Sequence, residues 1–420
     1  MSTITQVEEP AVRARSVKVV SSKRRTQVVG LGLTNILSQT LNAQQQPTLP
    51  DINTLRKAIP AHCFKPSTWR SMSYVVRDLA MAAALVYGAL AFIPSIANPT
   101  YRTLAWIAYG FIQGLVGVGI WILAHECGHS AFSVHRYLNE FVGWVLHSIL
   151  LVPFFSWKFS HARHHRFTGH MQKDMAFVPR TSPSYFVRTL AGALDSVIDL
   201  EMLEDAPLVN LIRLLGQQLG GWQVYMLLNA TSGEDSMQKQ EAKWWRRSHF
   251  DPFSGVFRPQ EALYILISDL GLALVAAGLY YSSLALDWQT VFLLYGVPYF
   301  WINHWLVAIT YLHHTHQDVP HYDGERWTFV AGALATVDRD FGFVGRHVFH
   351  GIIDTHVVHH LFSRIPFYYA EEATKAIKPL LGDLYHSDDR SFMGQLWETS
   401  RSCQYVESDP ANPGVLKWAQ

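Results

Sequence analysis

The segment His125-Glu126-Cys127-Gly128-His129 closes an apolar run that extends from Leu104 to Ala124. On a helix, side chains four positions apart share one face, so these two imidazoles can bind one metal ion. Taken alone, the segment has the H-E-x-x-H form of zinc metalloproteases, in which Glu126 would be the general base. Two further histidine clusters compete with that interpretation: His161-Ala162-Arg163-His164-His165 and His356-Val357-Val358-His359-His360.

The composition indicates an integral membrane protein. The 420 residues are 49% hydrophobic and only 16% charged, whereas an average soluble domain has about 25% charged residues. The net charge of +1 gives no electrostatic argument for nucleic-acid binding, and we expect none. The 3 cysteines are odd in number and far apart, which argues against a disulfide framework and favours a reducing, cytosol-facing location.

Four stretches are long and apolar enough to cross a bilayer, which requires about 20 residues. They are Leu79–Ala97, Leu104–Ala124, Ala262–Leu286 and Thr290–Leu312, and the short connections predict two hairpins. Lys and Arg are concentrated before the first stretch, so the N-terminus and all three clusters should face the cytosol. We expect a fifth stretch, Phe141–Trp157, to lie at the interface, because a crossing would separate the second cluster from the others.

The N-terminal residues 1–48 are polar and lack the apolar segment of a signal peptide, so we expect a disordered cytosolic tail. Residues 49–420 should form one membrane-embedded domain. The predicted fold class is an all-α integral membrane protein. Its four transmembrane helices form two hairpins below a cytosolic helical cap that holds the histidine clusters.

The three clusters predict a site for two metal ions. Eight imidazoles exceed the three or four protein ligands that one zinc takes, and a zinc protease would leave two clusters unused. Imidazole suits iron, zinc, copper and nickel alike, so the residues alone leave the metal open. A carboxylate-rich di-iron site would need further Glu-x-x-His pairs, and only Glu126 and His129 form one near the clusters. A metal transporter would need more polar residues in the crossings than Asp269, Asn303 and His304.

With its clusters placed, the chain resembles the membrane fatty acid desaturases, in particular the fungal oleate Δ12 type. The motifs that carry the resemblance are Ala124 to His129, Leu151 to Lys158, Thr168 to Met171, Ala333 to Arg339 and Asp354 to Ser363. The resemblance covers about Leu49 to Val406. Ser130 replaces a frequent His or Gln, Val358 replaces a frequent Ala, and residues 229–240 match only the start of the family's loop. These departures bear on regiochemistry more than on reaction class.

The resemblance implies two Fe²⁺ ions in the cytosolic cap. The eight cluster histidines correspond to iron ligands, and a ninth ligand at the end of the fourth crossing is best matched by His314, with His313 and His316 as alternatives. The implied ligands are therefore His125, His129, His161, His164, His165, His314, His356, His359 and His360. Four carboxylates are candidates for orienting the imidazoles from outside: Glu126, Asp338, Asp340 and Asp354.

The implied reaction is O₂-dependent insertion of a cis double bond into an eighteen-carbon acyl chain, most simply oleoyl to linoleoyl, in the endoplasmic reticulum membrane. The chain has no H-P-G-G haem motif and no Gly-rich dinucleotide fingerprint. The resemblance therefore implies cytochrome b5 and its NADH-dependent reductase as electron donors. A Δ15 or bifunctional desaturase, a hydroxylase or acetylenase, and a zinc protease remain as alternatives. The sequence leaves the acyl carrier (phospholipid or coenzyme A) and the oligomeric state open.

Overall fold

The computed structural model describes residues 49–181, 206–238 and 243–419. The tail expected over residues 1–48 lies outside the described residues. The α-helices are α1 (Ile52–Ala58), α2 (Thr68–Phe92), α3 (Pro99–His129), α4 (Arg136–Ile149), α5 (Phe154–Phe167), α6 (Pro207–Leu228), α7 (Ala262–Leu286), α8 (Trp288–Val291), α9 (Val297–His313), α10 (Phe329–Leu334), α11 (His356–Leu361), α12 (Phe367–Leu381) and α13 (Phe392–Ser402). The strands are β1 (His321–Tyr322), β2 (Val337–Arg339), β3 (His386–Asp388), β4 (Val406–Ser408) and β5 (Val415–Trp418).

Within the described ranges, four helical segments are long and apolar enough to cross a membrane. They are α2, α3, the segment Pro259–Leu286 that contains α7, and the segment Trp288–His313 that contains α8 and α9. The first lies further towards the N-terminus than the predicted Leu79–Ala97, because the Ser67 hydroxyl caps α2 by accepting from the N–H of Arg70. The other three contain the stretches predicted from the sequence.

The second membrane-capable helix, α3, continues five residues beyond the predicted Ala124 and ends at His129, the last residue of the first histidine cluster. Ser130 adopts a left-handed conformation with φ of 59°, and its N–H donates to the carbonyl of Cys127. The next N–H, that of Ala131, donates to the Glu126 carbonyl at 3.0 Å. These bonds satisfy the last helical carbonyls and stop the helix directly after His129.

The predicted fifth stretch is divided between two helices, α4 and α5, which are bent by 108° where they join. Each helix has 14 residues and is therefore about 21 Å long, shorter than a hydrocarbon core of about 30 Å. Neither helix alone is long enough to cross. The second of them carries the whole second histidine cluster.

Close packing of α3 against α9 forms the centre of the membrane-capable bundle. Gly114 and Gly117 of α3 allow this approach, since a Cβ at either position would collide with the side chain of Trp301 or Ile302. Before α9, residues Phe292–Gly296 form a π-turn in which the N–H of Val297 donates to Phe292. Proline at the second position of α9 has no N–H, which explains the local change in hydrogen bonding.

Two small sheets among the described residues depart from the predicted all-α fold. Strands β1, β5 and β4 form an antiparallel sheet in which His321 pairs with Leu416 and Val406 with Trp418. Strands β2 and β3 are parallel, with Val337 opposite His386. The strands have only two to four residues, too few to show a period of two in the sequence. They fix the C-terminal segment beside the loops that follow the fourth membrane-capable segment.

Candidate metal centre

Three helix segments bring the predicted histidines together. The first cluster is the last turn of α3, the second lies on α5, and the third is almost the whole of the six-residue helix α11. Helix α11 begins where it does because the Asp338 carboxylate accepts from the N–H of Val357 at 2.7 Å. Seven of the nine predicted ligands are buried, and His129 and His161 are half-buried.

Five of the imidazoles form one group, which we call the five-histidine group: His125, His129, His161, His165 and His359. One ring nitrogen from each lies within 4.8 Å of all the others. Consecutive Nε2 atoms are 3.2 Å apart for His125 and His129, 3.0 Å for His129 and His161, and 3.1 Å for His161 and His165. All three clusters contribute to this group.

The remaining four predicted ligands form a second group, which we call the four-histidine group: His164, His314, His356 and His360. The Nε2 atom of His314 is 3.3 Å from that of His164 and 3.3 Å from that of His356. The Nε2 atoms of His356 and His360 are 3.1 Å apart. His165 and His360, one from each group, stack with ring centroids 4.1 Å apart, so the two groups are adjacent.

The nitrogen spacing in the five-histidine group fits a metal with more than four ligands, whereas the spacings of 3.1 to 3.3 Å in the four-histidine group lie between right-angled and tetrahedral values. With metal–nitrogen bonds of about 2.1 Å, nitrogens at right angles lie about 3.0 Å apart, whereas tetrahedral ones lie about 3.4 Å apart. The three spacings in the five-histidine group are 3.0 to 3.2 Å. The Nε2 of His359 is buried without a hydrogen-bond partner in the described part of the chain, as expected of a nitrogen that serves as a metal ligand.

The electrostatic environment keeps the third-cluster imidazoles and His314 neutral. Burial, followed by the neighbouring imidazoles, holds the pKa of His356, His359 and His360 well below the usual value of 6.5. The pKa of His314 is lowered in the same way, first by burial and then by His164. A neutral imidazole retains the lone pair that a metal needs. The residues present therefore fit imidazole-bound metal ions.

Of the three candidates for the ninth ligand, the structure brings only His314 into a group. Both ring nitrogens of His313 contact backbone carbonyls, those of Ile309 at 2.6 Å and Ile353 at 3.0 Å. Each ring nitrogen of His316 is 3.6 Å from an aspartate oxygen, on Asp318 and Asp388. The sequence could not separate the three because they lie within four positions where the helix ends.

Hydrogen bonds from outside the two groups orient some of the rings. The Nδ1 of His164 donates to the carboxylate of Asp174 at 2.7 Å, and both side chains are almost fully buried. Thr168 donates its hydroxyl to the His164 carbonyl at 2.7 Å, so its oxygen accepts from Nδ1 of His360 at 3.0 Å. Both contacts leave Nε2 unprotonated and facing the four-histidine group.

Asp174 is the carboxylate that sequence reasoning missed. It lies ten residues after His164, beyond the left-handed turn at Gly169, whose N–H donates to the other Asp174 oxygen at 3.2 Å. The N–H of Ala176 also donates to Asp174, at 2.9 Å. The only signal in the sequence was an acidic residue soon after the second cluster.

The four carboxylates named from the sequence make other contacts. Glu126 accepts from the N–H of Phe367 at 3.0 Å, and its second oxygen is 3.5 Å from Nδ1 of His125, too long for a good hydrogen bond. Asp338 accepts from the Tyr385 hydroxyl as well as from the start of α11, and burial raises its pKa to about 7.

The other two of these carboxylates, Asp340 and Asp354, lie beside Arg346. Asp340 is half-exposed and pairs with this guanidinium at 2.8 Å. Asp354 is 3.8 Å from it, and burial raises the pKa of Asp354 to about 6. Both carboxylates therefore lie beside a cation rather than beside an imidazole.

A cavity of about 160 Å³ leads to the histidines. Its apolar wall comes from α3, α5, α6 and α9 and includes Val118, Trp121, Ile122, Trp157, Trp222, Leu306, Val307 and Ile309. Imidazoles of both groups line it, namely His125, His161, His164, His314, His356 and His360. The fold and the site thus define a membrane protein with a polyhistidine candidate metal centre beside an apolar cavity.

Comparison with known proteins gives the family. Residues 102–391 match the family model described as fatty acid desaturase, and residues 15–87 match a domain of unknown function (DUF3474). The Delta(12) fatty acid desaturase of Mortierella alpina is 46% identical over 360 residues, 85% of this chain and 88% of the relative. The Oleate hydroxylase FAH12 of Claviceps purpurea is 44% identical over 386 residues, 88% of this chain and 80% of the relative. An Omega-6 fatty acid desaturase, endoplasmic reticulum, of Brassica juncea is 42% identical over 358 residues, 85% of this chain and 88% of the relative.

The chain therefore belongs to the fatty acid desaturase family. The family and the enzyme class predicted from the sequence motifs are confirmed. The zinc-protease interpretation loses its support in the geometry as well. Five imidazoles, rather than three, converge around His125, and the backbone of Phe367 holds the Glu126 carboxylate.

Proposed function

We propose that this protein inserts a cis double bond at the Δ12 position of an eighteen-carbon acyl chain and converts oleoyl to linoleoyl groups. The observation that carries the proposal is the convergence of nine imidazoles in two adjacent groups beside an apolar cavity. The names of Delta(12) relatives at 42–46% identity support the Δ12 position. We assign one iron to the five-histidine group and one to the four-histidine group, with the nine histidines as ligands.

We also propose that α2 with α3, and Pro259–Leu286 with Trp288–His313, form two transmembrane hairpins in the endoplasmic reticulum membrane. The connections at residues 93–98 and at Asp287 contain no Lys or Arg, whereas basic residues precede α2. The positive-inside rule then places the N-terminus and the cap that holds the histidines in the cytosol. The name of the Brassica juncea relative supports the endoplasmic reticulum. We keep residues 49–420 as the desaturase domain and residues 1–48 as a cytosolic tail.

The role of the cavity is to bind the alkyl chain and fix its register. Side chains such as Ile122, Leu306 and Val307 can replace water around the chain, which stabilises it by about 0.8 kcal/mol per buried methylene. The acyl carrier, phospholipid or coenzyme A, remains outside because its head group is polar. The distance along the cavity from its mouth, where the head group remains, to the imidazoles then determines which carbons of the chain lie beside the metal centre.

The residues around the metals have their own tasks. Asp174 and Thr168 hold the rings of His164 and His360 with Nε2 directed inwards. Apolar walls exclude water from the oxidising site, which suppresses side reactions. When iron is bound it supplies the oxidation, in which two hydrogens leave adjacent methylenes and dioxygen, with two external electrons and two protons, becomes two waters. We propose cytochrome b5 and its NADH-dependent reductase as the electron source.

The fatty acid profile of yeast that expresses this chain tests the proposal. Gas chromatography of the methyl esters should show linoleate, which should be absent when His359→Ala is expressed at the same level in the same membranes. Linolenate only after linoleate feeding would instead identify a Δ15 enzyme. No new fatty acid, with the protein present and iron-loaded, would contradict the Δ12 assignment.

Hydroxylation is the second candidate, because the Oleate hydroxylase of Claviceps purpurea is 44% identical to this chain. Hydroxylation and desaturation share the first hydrogen loss and differ in the second step, which is addition of oxygen in one and removal of the adjacent hydrogen in the other. The same chromatograms separate them, since a hydroxylated oleate elutes apart from linoleate. A predominant hydroxy acid would replace the desaturase proposal with this one.

A further inference from the structure

A second group of metal-binding side chains lies away from the nine histidines, where the segment before α2 meets α12. His62, Cys63 and Glu372 each offer one ligand atom, and these atoms lie within 4.8 Å of one another. The Nε2 of His62 is 3.0 Å from the Glu372 carboxylate and 3.7 Å from the Cys63 sulfur. The Cys63 side chain is buried, whereas those of His62 and Glu372 are about half exposed.

The backbone holds the three side chains in place before any metal binds. His62 and Cys63 lie in the short 3₁₀ turn Ala61–Phe64, where the Cys63 N–H donates to Pro60 at 3.0 Å. The ring of Tyr369 on α12 packs edge-on against the His62 ring at 5.2 Å. Cys63 packs in the apolar core that also includes Ala373 of α12. The ligands are therefore fixed from both sides of the contact.

The three groups lie close to one another. Nε2 of His62 is the atom closest to both the Glu372 carboxylate and the Cys63 sulfur. Without a metal, the Cys63 thiol and an Nε2–H of His62 can both donate to the Glu372 carboxylate. A cation between the three atoms would replace these hydrogen bonds with three metal–ligand bonds.

The distances and ligand types suit zinc. For tetrahedral zinc with bonds of about 2.0–2.3 Å, nitrogen and oxygen ligands lie about 3.4 Å apart and nitrogen and sulfur about 3.5 Å apart. The observed separations of 3.0 Å and 3.7 Å differ from these values by about 0.4 and 0.2 Å, so the nitrogen and oxygen atoms must move slightly apart when the ion binds. One thiolate, one imidazole and one carboxylate form a ligand set that zinc accepts, and the exposed side leaves a fourth position for water.

We propose that His62, Cys63 and Glu372 bind a zinc ion that joins the Ala61–Phe64 turn to α12. On binding, the Cys63 thiol releases its proton to solvent, and the thiolate, the His62 Nε2 and a Glu372 oxygen bind the ion. This zinc link is connected to the metal centre through α12, because the first residue of that helix, Phe367, donates its N–H to Glu126. The zinc is structural and separate from the two proposed irons.

The experiment uses full-length protein in detergent, stripped of metal and titrated with Co²⁺ as a spectroscopic substitute for zinc. A cobalt–thiolate absorption band reports a sulfur ligand, and none of the nine proposed iron ligands is a sulfur. Wild type and the control Cys403→Ala should show the band, should bind one more Co²⁺ per chain than Cys63→Ala, and should lose the band when Zn²⁺ is added. Cys403 is also a buried free cysteine, so it controls for loss of a buried thiol. Cys63→Ala should lack the band.

Glu372→Gln keeps the sulfur and guards against a folding failure in Cys63→Ala. It should retain the band but require more than about tenfold more Co²⁺ to reach half of its intensity. No band in wild type, a band that persists in Cys63→Ala, or unchanged Co²⁺ affinity in Glu372→Gln would overturn the proposal. The assay does not need desaturase activity, so its outcome is independent of the proposed function.

Discussion

The contact between Asp174 and His164 gives the sharpest single prediction, the effect of Asp174→Asn on iron affinity. The carboxylate accepts from Nδ1 of His164 at 2.7 Å in a buried site. A metal on Nε2 withdraws electron density from the ring, so the charged acceptor stabilises the metal-bound form. The amide of Asn has a similar shape and can still accept this hydrogen bond, but without the negative charge.

The magnitude comes from the change in hydrogen-bond type. A hydrogen bond to a charged group contributes about 1.5–3 kcal/mol and a neutral one about 0.5–1.5 kcal/mol, and the midpoints of these ranges differ by roughly 1.25 kcal/mol. That difference corresponds to about an eightfold loss of iron affinity. In the wild type the second oxygen of Asp174 accepts from the N–H of Gly169 at 3.2 Å. In Asp174→Asn the amide NH₂ faces this N–H, so two donors meet without an acceptor and thermal stability should fall as well.

The assay is competition with a graded iron chelator, read as iron retained per chain in purified protein. The control is Asp340→Asn, which neutralises a half-exposed carboxylate paired with Arg346. A surface pair of that kind contributes about 0–1 kcal/mol, and it contacts no imidazole, so iron retention should change by less than about twofold. Equal chelator resistance in wild type and Asp174→Asn, or an equal loss in Asp340→Asn, would refute the reasoning.

Three further predictions concern the same centre. His314→Ala should reduce the iron bound per chain. His313→Ala should retain iron but lower the unfolding temperature, because the hydrogen bonds of His313 are to backbone carbonyls. The reverse pattern would reassign the ninth ligand to His313. Glu126→Asp should keep much of the desaturase activity in the yeast assay, since a carboxylate near Phe367 is retained, and complete loss would favour a catalytic proton transfer by Glu126. The metal-free protein should lose thermal stability as pH falls from about 8 to about 5.5. The pKa values of the third-cluster imidazoles lie well below 6.5 in the folded protein, so near and below pH 6.5 the unfolded chain binds protons that the folded chain does not. The free energy of unfolding therefore falls further with each step below pH 6.5. Burial raises the pKa of Asp338 to about 7 and that of Asp354 to about 6, which acts in the opposite direction, but these two carboxyls oppose four imidazoles when His314 is counted. A pH-independent unfolding temperature would contradict the prediction.

Apolar length alone predicts the four membrane-capable segments of the described chain. The predicted Ala262–Leu286 agrees with α7, and the predicted Thr290–Leu312 lies within the fourth segment. The predicted first stretch begins too late because α2 contains Asp78, whose charge lowers the hydropathy and places the predicted start at the next residue, Leu79. In the structure Asp78 is buried and pairs with His350 at 2.8 Å, a partner 272 positions away. Hydropathy does not include such a compensating contact.

The histidines of the site could be named from spacing and resemblance, but their grouping could not. His164 and His165 are neighbours in the chain, yet their rings belong to different groups because adjacent helix positions point about 100° apart. The candidate orienting carboxylates rested on closeness in sequence to the clusters. Asp174 was missed because its contact with His164 depends on the turn at Gly169, which folds the chain back on itself.

The central claim is that nine imidazoles hold two irons, and the iron content of the purified protein tests it most directly. Wild type should contain two irons per chain by elemental analysis. His359→Ala and His360→Ala, each removing a ligand from a different group, should each lose iron while the protein remains inserted in the membrane. Full iron content in both variants, or a wild-type centre that binds zinc and no iron, would contradict the account.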